Sequence, residues 1–245
     1  MPNIIFFDTE TTGNTEKDFL CQIAYKTHQA SGETKQNSFV GLYKPSVRIP
    51  PEASAVHHIS NKMVENLPSF TQSGDQARIK KLFEDADVVV VAHNAPFDLN
   101  ILKKEDIVPT AFICTLRIAR YLDKEGIIEK YNLQYLRYFL DIEVEATAHD
   151  AMGDVIVLEK LFERLEKKII DEQGLDQDTA ITQMIEISSH PSLLRTFNFG
   201  KHLGKKIEVV ASSDRGYLEW LLAQKLSSDV ADEDWIYTLK HYLGK

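Results

Sequence analysis

The chain opens on an apolar run, Ile4-Ile5-Phe6-Phe7, which leads into the polar stretch Asp8-Thr9-Glu10-Thr11-Thr12-Gly13. Residues 3 to 8 read as a buried strand. Residues 18 to 28 alternate with period two, placing Phe19, Cys21, Ile23 and Tyr25 on one face, and residues 36 to 43 read as a third strand. Short turns between them predict a meander. Residues 45 to 70 hold four of the eight prolines and no long apolar run, which predicts a structured loop with short helical turns before a helix at 75 to 84.

Asp87-Val88-Val89-Val90-Val91-Ala92 is β-branched and almost wholly apolar, the pattern of a strand covered on both faces in a parallel sheet. Asn94-Ala95-Pro96 follows as a helix start, Asn94 as cap and Pro96 in the first turn, so Phe97 to Lys104 is expected to be helical and to carry Asp98 early. Further helices are expected at 115 to 122 and 132 to 140. From Asp150 to Lys168, Val155, Leu158, Phe162 and Leu165 recur every three or four residues among charges, predicting the longest helix, with Asp150 as its cap.

Polar, acidic composition after Lys168 and a Ser-Ser-His-Pro break at 188 to 191 suggest three parts: a main domain at 1 to 170, a linker or helix at 171 to 194, and a compact module at 195 to 245. The module carries eight Lys/Arg against seven Asp/Glu in a chain of net charge −9, so the remainder is strongly acidic. Broad basic coating of nucleic acid is therefore excluded, although local patches or bound metal can still hold phosphate. With 245 residues and 43% hydrophobic side chains, the chain can bury a sizeable core. Cys21 and Cys114 lack metal-site spacing and read as reduced structural thiols. No apolar run approaches the roughly 20 residues that cross a bilayer. Met1-Pro2-Asn3 lacks a leader pattern, so a cytoplasmic protein without a membrane partner is expected.

Asp8 and Glu10, two apart on a strand, point to the same face. Two carboxylates in one partly desolvated space repel unless a cation lies between them, so the pair invites a divalent ion. Asp98, in His93-Asn94-Ala95-Pro96-Phe97-Asp98, and Asp154, in His149-Asp150-Ala151-Met152-Gly153-Asp154, add two acids and a histidine. His149 and Asp154 fall about 140° apart on a helix, so they cannot share a face. That suits His149 as a base near the entrance, with an ordinary pKa near ~6.5, rather than as a fixed ligand.

These three segments, in this order, resemble the DEDDh exonucleases related to the proofreading subunit of bacterial DNA polymerase III, over residues 3 to about 168. Ala55-Val56-His57-His58-Ile59 resembles the segment those enzymes apply to the terminal nucleotide. The resemblance implies an α/β, ribonuclease H-like mixed sheet flanked by helices, with the site at the end of the first strand. It implies that Asp8, Glu10 and Asp154 hold one Mg²⁺ or Mn²⁺, that Asp8 bridges to a second ion, that Asp98 assists directly or through water, and that His149 is the general base. Thr11, Gly13, Val56, His57 and Phe97 match its substrate-binding positions. The expected partner is nucleic acid with a free 3′ end, DNA preferred, trimmed to nucleoside 5′-monophosphates. An RNA 3′-end trimming enzyme and a noncatalytic polymerase accessory subunit are the alternatives.

Phe197 to Lys206 and Tyr217 to Leu222 resemble the small module of exodeoxyribonuclease X-like proteins, expected here as a small α+β unit. Its glycines, lysines and aromatics suit contact with nucleic acid and equally suit a solvated basic turn beside an aromatic core. The tail departs from the polymerase-bound subunit and points to a stand-alone repair or processing enzyme. Gln183-Met184-Ile185-Glu186-Ile187 faintly resembles a sliding-clamp peptide.

Overall fold

A computed structural model describes residues 2–15, 17–28, 38–144, 151–228 and 232–245. Five strands, β1 (Asn3–Thr11), β2 (Leu20–His28), β3 (Ser38–Leu42), β4 (Val88–Ala92) and β5 (Phe112–Cys114), form one sheet in the order β3-β2-β1-β4-β5. The first three strands pair antiparallel as the expected meander, whereas β1–β4 and β4–β5 are parallel. β1 is thus the central strand, and alternation along it feeds two cores.

Before β4 come α1 (Pro51–His57), α2 (Asn61–Val64) and α3 (Gly74–Phe83), and after it α4 (Ala95–Lys104), α5 (Thr115–Leu122), α6 (Leu133–Phe139) and α7 (Ala151–Gln173). Ile4 and Phe6 face α5 and α7, with Phe6 against Phe162 at 5.3 Å between ring centres. Ile5 and Phe7 face α3 and α4, with Phe7 against Phe83 at 5.3 Å. All five β4 residues are buried, as a strand covered on both faces requires. Lys26 of β2 reaches the almost fully buried Glu159 of α7, so the charge that α7 carries into the core is paired.

Some sequence expectations change on contact with the fold. Asn94 precedes α4 in a left-handed conformation, φ 64°, and its side chain makes no cap; Asn tolerates that region better than most residues. The cap expected of Asp150 lies outside the described residues. β5 is only three residues long and was not read from the sequence. The stretch expected as linker or helix contains α8 (Gln177–Ser189), whose Ala180, Ile181 and Met184 are buried in the core shared with α5 and α7. Met184 of the stretch 183 to 187 is thus spent inside the protein. α8 also seals the sheet edge: Ser188 Oγ accepts the Cys114 N–H at 2.8 Å, a ladder group an edge strand otherwise leaves open.

α9 (Ile207–Ser213), α10 (Arg215–Leu226) and α11 (Glu233–Leu243) enclose a separate core around Phe197, Leu218, Trp235 and Leu239. Among the described residues, the β component of this module is a single antiparallel bridge between Thr196 and Lys206. Among the described residues, no helix is long and apolar enough to cross a membrane. Both cysteines are buried and free.

Met184→Ala is expected to cost about 2–4 kcal/mol in urea unfolding, as for a buried methionine in a packed core. A loss within about 0.5 kcal/mol, the value of an ordinary surface change, would show that α8 does not belong to that core.

Candidate metal centre

Four acidic side chains reach the C-terminal end of β1 from three elements. Asp8 and Glu10 come from β1 itself, whose pairing with β2 shifts register between Glu10 and Thr11. Such a bulge sharpens the local twist and re-aims the side chains beside it. Asp154 lies in the first turn of α7 and Asp98 in the first turn of α4, both buried, where the helix N-terminal dipoles favour negative charge. One carboxylate oxygen each from Asp8, Glu10 and Asp154 lies within 4.8 Å of the others.

Asp98 stands outside that trio but exerts the largest charge effect on its Asp8. Burial pushes the Asp8 carboxyl well above the ordinary carboxylate range, and the charges of Asp98, Glu10 and Asp154 push it further, in that order. Burial likewise raises Asp98 to about 7, against the opposing pull of its hydrogen bond from Thr9. Repulsion of this kind is relieved by protons or by cations. A set of hard carboxylate oxygens suits Mg²⁺ or Mn²⁺ and not a soft thiophilic ion, so divalent ions fit the residues present.

Two neighbours that the sequence did not single out hold the acids in place. Thr9, pointing to the face opposite Asp8 and Glu10, donates from Oγ1 to Asp98 Oδ1 at 2.6 Å. Gln134 of α6 donates from Nε2 to Asp154 Oδ1 at 2.5 Å. Thr9 was hidden in plain view inside the motif; Gln134 carries no motif, and only the packing of α6 on α7 reveals it. His93 is a third. Its Nδ1 lies 2.9 Å from Thr115 Oγ1 and its Nε2 2.6 Å from the Tyr131 carbonyl. Burial depresses it to about 4, so it is a neutral clamp between the end of β4 and the loop before α6.

The residues expected to meet substrate divide by environment. The Ile59 N–H donates to His57 Nδ1 at 3.0 Å, which leaves Nε2 protonated to donate to the Thr11 carbonyl at 3.2 Å. Burial lowers its pKa, so His57 is a neutral strut joining α1 to the end of β1. Its ring carbons, not its nitrogens, remain for a substrate. Thr11 Oγ1 in turn donates to the Gly13 carbonyl. Gly13 answers an internal need, because a Cβ there would lie 2.6 Å from the Asp18 carboxylate, which Thr12 and Thr15 hold in place. Val56 is 49% exposed on α1, and Phe97 is half-buried on α4. His149 lies outside the described residues.

The chain is similar to known proteins along both of its parts. The family model described as Exonuclease matches residues 5–162, and the model described as Exodeoxyribonuclease X-like C-terminal matches residues 197–225. Exodeoxyribonuclease 10 of Escherichia coli strain K12 is 33% identical over 211 residues, covering 84% of this chain and 85% of that protein. The DNA polymerase III subunit epsilon of Treponema pallidum is 32% identical over 164 residues, covering 64% of this chain and 73% of its own. Among solved structures, exonuclease X in complex with 5′ overhanging duplex DNA superposes with a TM-score of 0.58 at 26% identity, over 76% of this chain and 99% of that one. With a ribonuclease H-like sheet, four acids converging on its central strand and matches spanning both parts of the chain, the protein belongs to the DEDDh exonuclease family and carries an exodeoxyribonuclease X-like C-terminal module.

Proposed function

We propose that the protein is a metal-dependent 3′-to-5′ exodeoxyribonuclease releasing nucleoside 5′-monophosphates, with Asp8, Glu10, Asp98 and Asp154 holding two Mg²⁺ or Mn²⁺ ions. The observation that carries this is the convergence of Asp8, Glu10 and Asp154 within 4.8 Å, with Asp98 pressing on Asp8 from α4. The relative named an exodeoxyribonuclease and the exonuclease X structure with DNA support DNA as substrate. A match that resumes in the C-terminal module supports a stand-alone repair or processing enzyme.

Divalent ions, when bound, supply acidified water and neutralise charge around the scissile phosphate and the departing 3′ oxygen. The protein's own residues do the rest. Gln134 fixes the Asp154 carboxylate and Thr9 fixes that of Asp98, so the donors are oriented before substrate arrives. His149, on the segment just before α7, takes a proton at a ring nitrogen from the attacking water. The main chain from Thr11 to Gly13, braced by His57, lies beside the terminal sugar, while Val56 and Phe97 offer apolar contact to the terminal base. Contact of that kind tolerates any base, as a general exonuclease needs.

Protonation follows from the same burial. Asp98 is raised toward 7 in the folded protein but is near ~3.9 when unfolded, so the folded state binds more protons between those values. Stability of the metal-free protein therefore falls as pH rises through that window. Metal binding releases protons, so apparent affinity rises with pH.

Asp8→Ala is expected to abolish Mg²⁺- or Mn²⁺-dependent release of mononucleotides from 3′-labelled DNA, by about 10³-fold or more for a group acting on the reacting centre, while circular dichroism shows an intact fold. Unchanged turnover would reject the site, and trimming of a matched RNA alone would reject DNA as substrate. His149→Ala is expected to lower kcat about 10²–10⁴-fold, the usual yield of a positioned base. Calorimetric Mn²⁺ affinity should stay within a few-fold, and equal losses would make His149 a ligand. In EDTA at pH 8, Asp98→Asn is expected to raise the melting temperature by several degrees, on the order of 2–4 °C per kcal/mol relieved. At pH 4 the gain should vanish; a gain of equal size at both pH values would exclude carboxylate repulsion as its source.

A further inference from the structure

The C-terminal module contains a surface that the catalytic site does not use. Residues 195 to 206 carry four basic side chains, Arg195, Lys201, Lys205 and Lys206, and no acid, in a chain of net charge −9. The segment folds into a tight loop. Phe197 N–H donates to the Lys205 carbonyl at 2.9 Å, Gly204 N–H to the Phe197 carbonyl at 2.7 Å, and Ile207 N–H to the Arg195 carbonyl at 2.8 Å. Gly200 and Gly204 take φ of 70° and 78°, and a Cβ on Gly200 would meet the Tyr217 hydroxyl at 2.8 Å. Beneath the loop, His202 is buried between Phe197 and Tyr217 and bonds the Asp214 carboxylate at 3.0 Å. The basic side chains are therefore mounted on a fixed base.

The aromatics separate into two roles. In the module's core Phe197 stacks on Trp235 and Phe199 meets both rings edge-on. Trp220 does not; it is 54% exposed on α10, its ring 5.5 Å from Tyr217 at 33°. Lys201 covers the other part of this ladder, with Nζ 4.9 Å from the Tyr217 ring, while also pairing with Asp214. Lys205 and Lys206 are exposed and form no ion pair among the described residues. Leu203, between the two positive-φ glycines, is 66% exposed.

The surface is held in register with the nuclease body. Arg117 of α5 pairs with Glu233 of α11 at 3.2 Å, and Arg120 pairs with Asp234. Asp234 also accepts the Ser192 N–H at 2.7 Å, and Thr238 accepts that of Leu194 at 2.9 Å. At the loop before α6, a Cβ on Gly126 would lie 2.9 Å from Arg195 Cβ, so the two backbones meet closely. That loop leads to Gln134, which holds Asp154.

We propose that Lys201, Lys205, Lys206 and Trp220 form a second binding surface for the single-stranded part of the polynucleotide upstream of the terminus being hydrolysed. The occupant rests on the nuclease reading above. Lys205 and Lys206, held without acidic partners, suit the phosphate backbone, Lys201 adds a charge shared with Asp214, and an exposed indole suits an unstacked base, which a duplex does not offer. Phosphate contact here raises affinity for long strands and leaves the chemical step untouched.

The test uses the full chain carrying Asp8→Ala, with fluorescence anisotropy of a labelled 20-residue and a 3-residue oligothymidylate in Ca²⁺. The double variant Lys205→Glu/Lys206→Glu is expected to weaken the 20-mer tenfold or more and to lower the slope of log K against log salt by about 1.4, from about 0.7 per lost phosphate contact. Trp220→Ala is expected to weaken it about fivefold or more. Trinucleotide binding and melting temperature should not change. Unaltered 20-mer binding in both variants overturns the proposal, as does an equal loss for both lengths, which would mean that the module acts through the fold. A blunt duplex affected as strongly as the single strand by Trp220→Ala also overturns it. Hydrolysis of thymidine 5′-monophosphate p-nitrophenyl ester by the unmodified protein separates the two readings: its absence, with length-dependent binding intact, sinks the nuclease reading and leaves this surface standing.

Discussion

Everything at the active end of this protein answers to one electrostatic constraint, the crowding of four carboxyl groups at the end of a central strand. Left to itself, such a cluster costs free energy through desolvation and like-charge repulsion. The fold sustains it by spreading the acids over three elements, so that no single segment carries the strain. β1 delivers Asp8 and Glu10 at a register shift, α4 brings Asp98 from one face of the sheet, and α7 brings Asp154 from the other. Rigid cores on both faces of the sheet then resist the separation that repulsion favours.

The same arrangement explains why polar residues beside the site are tied to one another. Thr9 restrains Asp98, Gln134 restrains Asp154, and His57 joins the Thr11 carbonyl to the turn after α1. Each bond satisfies a group that is buried or nearly so, and each removes a rotamer that would carry a donor away from the others. His93 serves similarly at greater depth, fixing the end of β4 from which α4, and with it Asp98, departs.

How much of this could be read from the chain depended on whether local pattern and burial coincide. β1, β4 and α7 were legible because their periodicity is that of the surfaces they bury, and the four acids stood out because they sit at the end of β1 and in the first turns of α4 and α7. β5 was not, being three residues within a short apolar stretch. α8 was legible only as linker or helix, because polar side chains outnumber the three apolar residues that anchor it, Ala180, Ile181 and Met184. Gln134 and the neutral state of His57 depend on which helix lies across which, and tertiary register leaves no mark on sequence spacing. The bounds of the module's helices were hidden because the residues that form its core, Phe197, Leu218, Trp235 and Leu239, lie far apart along the chain.

Arg117 touches both sides of the boundary between nuclease body and module. Its buried guanidinium donates to the Ser188 carbonyl at 2.7 Å, where α8 ends, and to Glu233, where α11 begins. A chain cut between these two points would not be the nuclease body with an ornament removed. It would leave the Arg117 guanidinium without its acidic partner, beside the residue, Ser188, whose hydroxyl seals the edge strand. The two parts are therefore joined as one thermodynamic object, and truncation alters the edge of the sheet as well as the length of the protein.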